Sequence, residues 1–353
     1  MPHREVRPAR VVGLGGGIGA SRLWRALVEA EPSLALTVVV NTADDLWAYG
    51  LRVSPDIDTT LYSLSDRHDL QRGWGVRDES WRTMHALRGL GEEVWFNLGD
   101  VDLATHLLRT DLLRGGSALS EVTRRLATAM GVQSTVLPMS DHVVTTRLTT
   151  AEHGHVSYVE FLVRLAAVPQ VVTVHYEGLE HAVPAPGVLE AIARADLVVL
   201  APSNPVASLD PILGVHGVRA AVRDSLAHVV GVSPIVLGVP IADAGEARRA
   251  ASRAALLRAV GGSADPLGVA SRYADICHRF VLDTADASFA PAIRALGLEV
   301  VLARTLLHTG VAPEELLAAL SLRRAPTGRA ARARAGSASL RRADPRLGSR
   351  GSW

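Results

Sequence analysis

Four aspartates, Asp44, Asp45, Asp56 and Asp58, fall within fifteen residues, directly after the apolar run Thr37-Val38-Val39-Val40. Carboxylates this crowded repel one another, and the usual reason to gather them is a divalent cation or a hydroxyl-bearing ligand. The place suits a ligand too, because open α/β sheets bind at the carboxyl ends of their strands. A purely structural reading competes: Asp44 and Asp45 would cap a turn, and Asp56 and Asp58 the helix after it. Trp47 and Tyr49 lie between the two acidic pairs, where a solvated turn has little use for large rings.

Two further stretches could bind phosphate. Gly15-Gly16-Gly17-Ile18-Gly19 follows a short buried strand, and such glycines let backbone amides approach a phosphate at a helix N-terminus. Their spacing departs from the dinucleotide fingerprint and no lysine follows, which excludes a Walker loop; a tight turn demanded by packing accounts for them equally well. Ser203 and Asn204 close the strand 197–201 and suit a phosphate or ribose, or else form a turn before Pro205. His142 beside Asp141 invites a metal or acid/base reading, although a loop histidine without a partner is more often neither.

The elements that must hold these residues alternate strand and helix. Apolar runs at 10–14, 37–40, 134–139, 197–201, 229–236, 280–283 and 299–302 read as buried strands, and helical spacing recurs over 20–29, 59–66, 117–130 and 189–194. Residues 143–175 favour β structure, interrupted by a possible helix over 157–166. The pattern is that of an α/β fold, a doubly wound and mostly parallel sheet. Seven of the fifteen aromatics fall in 47–96, as a satellite core or as a surface for a flat ring.

Composition bounds the rest. With 353 residues, 48% of them hydrophobic, the chain can bury a large core. All 37 basic residues are arginine, a mark of GC-rich coding that lowers the weight of any one arginine. Residues 323–353 carry nine arginines against one aspartate and read as a disordered tail after a single domain spanning 1–322. The remainder is mildly acidic, with no nucleic-acid footprint and no stretch long enough to span a membrane. The lone Cys277 excludes an intrachain disulfide and fits a reducing, cytoplasmic setting.

Several ordered motifs resemble one family. Asn41-Thr-x-Asp-Asp45 through Ser54-Pro-Asp-Ile-Asp58-Thr59, Leu98-Gly-Asp-x-Asp-Leu-Ala-Thr-His106, Leu137-Pro-Met-Ser-Asp141, and Ser203-Asn-Pro205 with Pro211-Ile-Leu213 are similar to the 2-phospho-L-lactate transferases of coenzyme F-420 biosynthesis. The resemblance runs from about residue 10 to about 320. It implies a Rossmann-like fold with an inserted acceptor-binding α/β region near 61–185, a homodimer and Mg²⁺ dependence. The implied reaction moves a phospholactyl or phosphoenolpyruvyl group from a guanosine diphosphate-type donor to the deazaflavin Fo and releases GMP. A lysine-free composition of actinobacterial type favours the phosphoenolpyruvyl donor.

On this resemblance Asp45, helped by Asp56, holds Mg²⁺, and Asp58 binds Fo and orients or deprotonates its hydroxyl. Gly15, Gly16, Gly17, Gly19, Ser203, Asn204 and Ser233 hold the donor nucleotide and its phosphates. Trp47, Asn97, Met139, Ser140 and Asp141 contact Fo. Replacing Asp58 with alanine is expected to abolish transfer with the fold intact. The chain departs from the family pattern at Asn97, usually basic, and over 236–240, where a lysine is missing. A non-catalytic nucleotide-binding regulator of the same fold is the competing expectation, and the Leu98–His106 and Leu137–Asp141 motifs argue against it. An NAD(P)-dependent oxidoreductase rests only on the off-pattern glycine loop.

Overall fold

The computed structural model describes residues 9–69, 72, 74–307 and 313–320. Strands β1 (Arg10–Gly15), β2 (Ala35–Val40), β5 (Thr135–Pro138), β9 (Leu197–Leu200), β10 (His228–Val232), β11 (Arg279–Asp283) and β12 (Glu299–Ala303) form one sheet in the order β12-β11-β10-β9-β1-β2-β5. Every neighbouring pair is parallel. A hairpin, β3 (Leu46–Ala48) with β4 (Leu51–Val53), and an antiparallel sheet of β6 (Thr145–Thr150), β7 (Gly154–Ser157) and β8 (Val171–Glu177) lie outside it.

Helices α1 (Gly17–Ala30), α2 (Pro55–Leu64), α3 (Arg82–Gly89), α4 (Asp102–Arg114) and α5 (Leu119–Met130) precede the crossover to β9. After Val171–Glu177 come α6 (Val188–Arg194), α7 (Asp210–Gly214), α8 (Val218–Asp224), α9 (Ala244–Ala259), α10 (Pro266–Tyr273), α11 (Ala290–Ala295) and α12 (Glu314–Ala319). No helix among the described residues is long and apolar enough to cross a membrane.

Strands buried on both faces must be apolar throughout, and their side chains sort by the two-residue pleat. Val12, Leu14, Val39, Val198 and Leu200 enter one core; Val11, Val38, Val40, Leu197 and Val199 enter the other. Gly13 breaks the apolar series for a packing reason: a Cβ there would lie 2.4 Å from the ring of Trp24 in α1. The chain winds from β1 to β2 and β5, then returns past β1 to β9 and the later strands. The β1/β9 gap is therefore the topological switch point, where a crevice opens beyond the strand ends.

Two helices start earlier than their apolar spacing indicates, and both starts matter. Helix α1 begins at Gly17, so Gly17 and Gly19 form its first turn rather than a loop ahead of it. Helix α2 begins at Pro55, a residue preorganised for a first helical position, so Asp56 and Asp58 stand in its first turn. No side-chain cap is formed there, which removes the capping account of these two aspartates. The helix expected over 157–166 is present over 158–164, its Glu160–Arg164 part wound wide and closed by the Leu165 N–H on the Glu160 carbonyl at 3.0 Å.

The span 61–185 is not wholly an insertion, since β5 within it forms an edge of the main sheet. Its aromatic part packs on the β3–β4 hairpin, building a small core of Ala48, Val53, Met84 and Leu98 with Tyr49 and Phe96 against it. Two carboxylates tie that lobe down. Asp100 accepts from the Arg82 and Thr83 N–H groups at the start of α3, while Glu79 accepts from the Val101 and Asp102 N–H groups at the start of α4. The arginine-rich span 323–353 lies outside the described residues.

Candidate functional site

A cavity of about 570 Å³ opens at the switch point, walled by the start of α1, the first turn of α2, the aromatic lobe, the loop after β9 and the first turns of α9. Gly16, Gly17, Gly19, Asp44, Asp56, Asp58, Asn97, Ser203 and Asn204 line it, with Trp74, Trp95 and Phe96 as an aromatic wall. Gly16 and Ser203, 187 positions apart in the chain, meet there through the two loops at the switch point.

The acidic cluster divides into two unlike pairs. Asp45 accepts from Ser54 Oγ at 2.6 Å and faces Arg52 Nη2 at 3.4 Å. Asp58 is gripped at both oxygens by the guanidinium of Arg109, whose Nη1 stands 3.0 Å from Asp58 Oδ2. Each of these aspartates thus has a cationic partner. Asp44 and Asp56 have none among the described residues: a single amide, Asn41 Nδ2, donates to Asp44 Oδ2 at 3.1 Å and to Asp56 Oδ2 at 3.0 Å. Both carboxyls are buried, and Asp44 Oδ1 has no hydrogen-bond partner among the described residues.

The electrostatics follow from this geometry. Burial, with Asp56 and Asp45 nearby, pushes Asp44 well above the ordinary carboxylate range. Burial likewise raises Asp56 to about 6, opposed by the Asn41 amide and the Gly17 N–H. Asp45 rises to about 7 through burial, with Arg52 and Ser54 working against the shift. The turn that presents the first pair is held by Asn41 itself, whose Oδ1 accepts from the Ala43 N–H at 3.0 Å, so Asp44 is not needed as a cap.

The residues present fit a divalent cation at Asp44 and Asp56: two uncompensated carboxylates, an unsatisfied buried oxygen and hard oxygen donors. Among the described residues no group of three or more His, Cys, Asp and Glu side chains could cage a metal. An ion here would draw its other ligands from water and substrate, the common arrangement for Mg²⁺.

Glycine at position 16 is required by this pair. A Cβ on Gly16 would lie 1.9 Å from Asp56 Oδ2. Gly16→Ala is therefore expected to swing Asp56 out of place and cut activity by about 100-fold or more, an effect of about 3 kcal/mol on the transition state. Steady-state kinetics on the folded variant checks this, and turnover within twofold of the parent would refute it.

Asp58 sits in a longer buried array. Arg109, fully buried, also places Nη1 3.2 Å from His106 Nδ1. Because a guanidinium only donates, that nitrogen accepts, which leaves the ring proton to Nε2, 3.1 Å from Asp102 Oδ2. Tyr62 Oη donates to Asp102 Oδ1 at 2.5 Å. Asp58, Tyr62, Asp102 and His106 all reach the cavity wall. Burial lowers the Arg109 pKa, and Asp58, with Asp45 and Tyr62 behind it, more than restores it, so the net shift is upward and the cation is secure.

The Ser203 and Asn204 side chains are occupied within the protein. Ser203 Oγ accepts from the Gly16 N–H at 3.0 Å and donates to the Gly16 carbonyl at 2.9 Å, clipping together the loops on either side of the switch point. Asn204 Oδ1 accepts from the Val206 and Ala207 N–H groups, and its Nδ2 donates to Tyr158 Oη at 3.3 Å. These residues shape the loop that a ligand meets.

Other expected residues lie elsewhere. Trp47 stands exposed on the β3–β4 hairpin with the Arg114 guanidinium over its ring. Met139 is core, Ser140 Oγ donates to the Val183 carbonyl, and Asp141 caps α5 through the Ser120 N–H and hydroxyl. His142 Nδ1 lies 2.9 Å from the His181 carbonyl, and neither His142 nor Asp141 reaches the main cavity. Ser233 is buried against Ile235, and Gly15 ends β1 behind the cavity lining. Asn97 does line the wall, and its Oδ1 accepts from Arg88 Nη2 at 2.6 Å, which brings a cation from α3 beside it. The 236–240 segment turns its Leu237 and Gly238 N–H groups onto Asp286 and does not reach the wall.

Sequence reasoning missed Arg109, Tyr158 and the arginines of α9. Arg109 is 51 residues from Asp58, and in a lysine-free chain arginine carries little signal; its place one turn beyond His106 was the available clue.

Comparison with known proteins agrees with this architecture. The family model for 2-phospho-L-lactate transferase CofD matches residues 11–289. A phosphoenolpyruvate transferase of Kitasatospora aureofaciens is 42% identical over 296 residues, covering 82% of this chain and 89% of that protein. A 2-phospho-L-lactate transferase of Methanosarcina acetivorans is 38% identical over 303 residues, covering 86% and 95%. Among solved structures, a Bacillus halodurans protein of the upf0052 family superposes with a TM-score of 0.57 at 18% identity, over 89% of this chain and 99% of that one, a likeness of fold. Matched along most of its length by the family model and by these relatives, the chain belongs to the 2-phospho-L-lactate transferase family.

Proposed function

We propose that the protein transfers a phospholactyl or phosphoenolpyruvyl group from a guanylylated donor to a hydroxyl of the deazaflavin Fo, releasing GMP. The observation that carries this is one cavity holding an uncompensated carboxylate pair between a glycine turn and an aromatic wall. Such a transfer needs charge neutralisation, phosphate cradling and positioning more than covalent catalysis. Asp44 and Asp56 would hold Mg²⁺, a different pair from the Asp45 and Asp56 expected on resemblance, because Asp45 is already engaged by Arg52 and Ser54 and does not line the cavity. The ion, when bound, would offset the negative charge of the donor phosphates.

Asp58 accepts a hydrogen bond from the attacking hydroxyl and aims it. The hydroxyl oxygen bonds to the phosphorus that carries the three-carbon acid, the bond from that phosphorus to the GMP oxygen breaks, and the hydroxyl proton passes to Asp58. Trp74, Trp95 and Phe96 offer flat surfaces to the deazaflavin ring, with the Asn97 amide beside them. The test is incubation of the protein with Mg²⁺, Fo and each guanylylated donor in parallel, following product by chromatography and mass. Product with one donor names the acid transferred; no product with either donor refutes the reading.

A further inference from the structure

Helix α9 lies across the loop that follows β9. Ser252 Oγ donates to Tyr158 Oη at 3.2 Å, and the same Tyr158 oxygen takes the Asn204 Nδ2 hydrogen bond. That bridge brings Gly245, Arg248, Arg249 and Arg253 onto the cavity wall. Arg249 Nε and Arg253 Nη2 share one carboxylate, Glu246, at 2.9 and 2.5 Å. Arg249 also reaches Asp243 at 3.7 Å, while Arg248 forms no hydrogen bond or ion pair with the described residues.

A fourth cation stands close by. Arg22 of α1 has its pKa lowered first by burial and then by the charge of Arg249. Four arginines answered by Glu246 and Asp243 leave an excess of positive charge on the α9 side of the cavity, away from the Asp44 and Asp56 carboxyls, and like charges held this close call for an anion between them. The glycine turn at the N-terminus of the fourteen-residue α1 faces the same space. Adjacent guanidinium groups match the paired non-bridging oxygens of a diphosphate better than a single carboxylate.

We propose that Arg248, Arg249 and Arg253 of α9 form the binding site for the diphosphate of the nucleotide donor. The assignment rests on the transferase reading for the identity of the donor, and its test separates the two. Binding of guanosine diphosphate and of inorganic pyrophosphate is measured calorimetrically with the full chain, Arg248→Ala and Arg248→Ala/Arg249→Ala, with Fo binding followed by deazaflavin fluorescence.

Loss of one charge-assisted contact is expected to weaken guanosine diphosphate about tenfold, and loss of both about a hundredfold. Fo affinity and melting temperature should hold in the single variant, since Arg248 is exposed and has no partner among the described residues. Arginine-dependent binding of both anions supports the site. Guanosine diphosphate bound equally by parent and variants overturns the site while leaving the transferase reading in place. Arginine-dependent binding of pyrophosphate without any binding of guanosine diphosphate keeps the anion site and refutes the guanylylated donor. No binding of either anion by the parent refutes both.

Discussion

Asp44→Asn and Asp56→Asn are each expected to lower transfer by about 10³-fold or more while raising the melting temperature in metal-free buffer by about 2 °C or more. The two effects have one cause. The carboxyls are buried, share a single amide and have no cationic partner among the described residues, so without a ligand their charges oppose folding. An amide at either position removes a charge without changing the shape of the side chain. It also removes a hard oxygen ligand, and with it the charge that would hold Mg²⁺ against the donor.

Melting curves in EDTA and in millimolar Mg²⁺ read the second consequence apart from activity. The parent should be stabilised by the ion and the variants should not. A variant that keeps both parental turnover and the Mg²⁺ response would refute the assignment. Asp45→Asn serves as the contrast, because its carboxyl does not line the cavity, and its Mg²⁺ response is expected to persist.

The second large effect is at Asp58, where the structure changes what alanine would do. Asp58→Ala strands the guanidinium of Arg109, which is fully buried, and the loss of one member of such a pair costs about 3–5 kcal/mol. The expectation of an intact fold in this variant therefore gives way to marked destabilisation, measured by urea unfolding. Adding Arg109→Met removes the stranded charge, and stability should return to within about 1 kcal/mol of the parent, because apolar replacement of a buried ion pair is often close to neutral. Transfer should stay lost in the double variant, since nothing then aims the acceptor hydroxyl. A double variant that is stable and active would make Asp58 structural only.

Local pattern went far toward the fold. Apolar runs with turn residues between them mark strands covered on both faces, and burial on both faces is what makes such runs continuous. The strands and the parallel sheet were legible for that reason. Helix starts were less so: α1 and α2 begin on glycines and aspartates that face the ligand space, and an apolar stripe says nothing about first-turn residues that are not apolar.

Four aspartates in fifteen residues announced a site, and the glycine turn and Ser203-Asn204 were placed on its rim by strand-end position alone. Which aspartate does what was decided by the tertiary structure. Asp45 and Asp58 are set apart from Asp44 and Asp56 by Arg52 and Arg109, and the Asp58–Arg109 pair spans α2 and α4. Ser203 and Asn204 likewise turned inward, to Gly16 and to their own helical turn. The sequence by itself determined the kinds of charge, the strand ends that carry them and the family pattern, because those depend on neighbours along the chain. Only the folded chain decided which charges are compensated, because a buried ion pair depends on distance through space and on exclusion of water, and neither is written in local spacing.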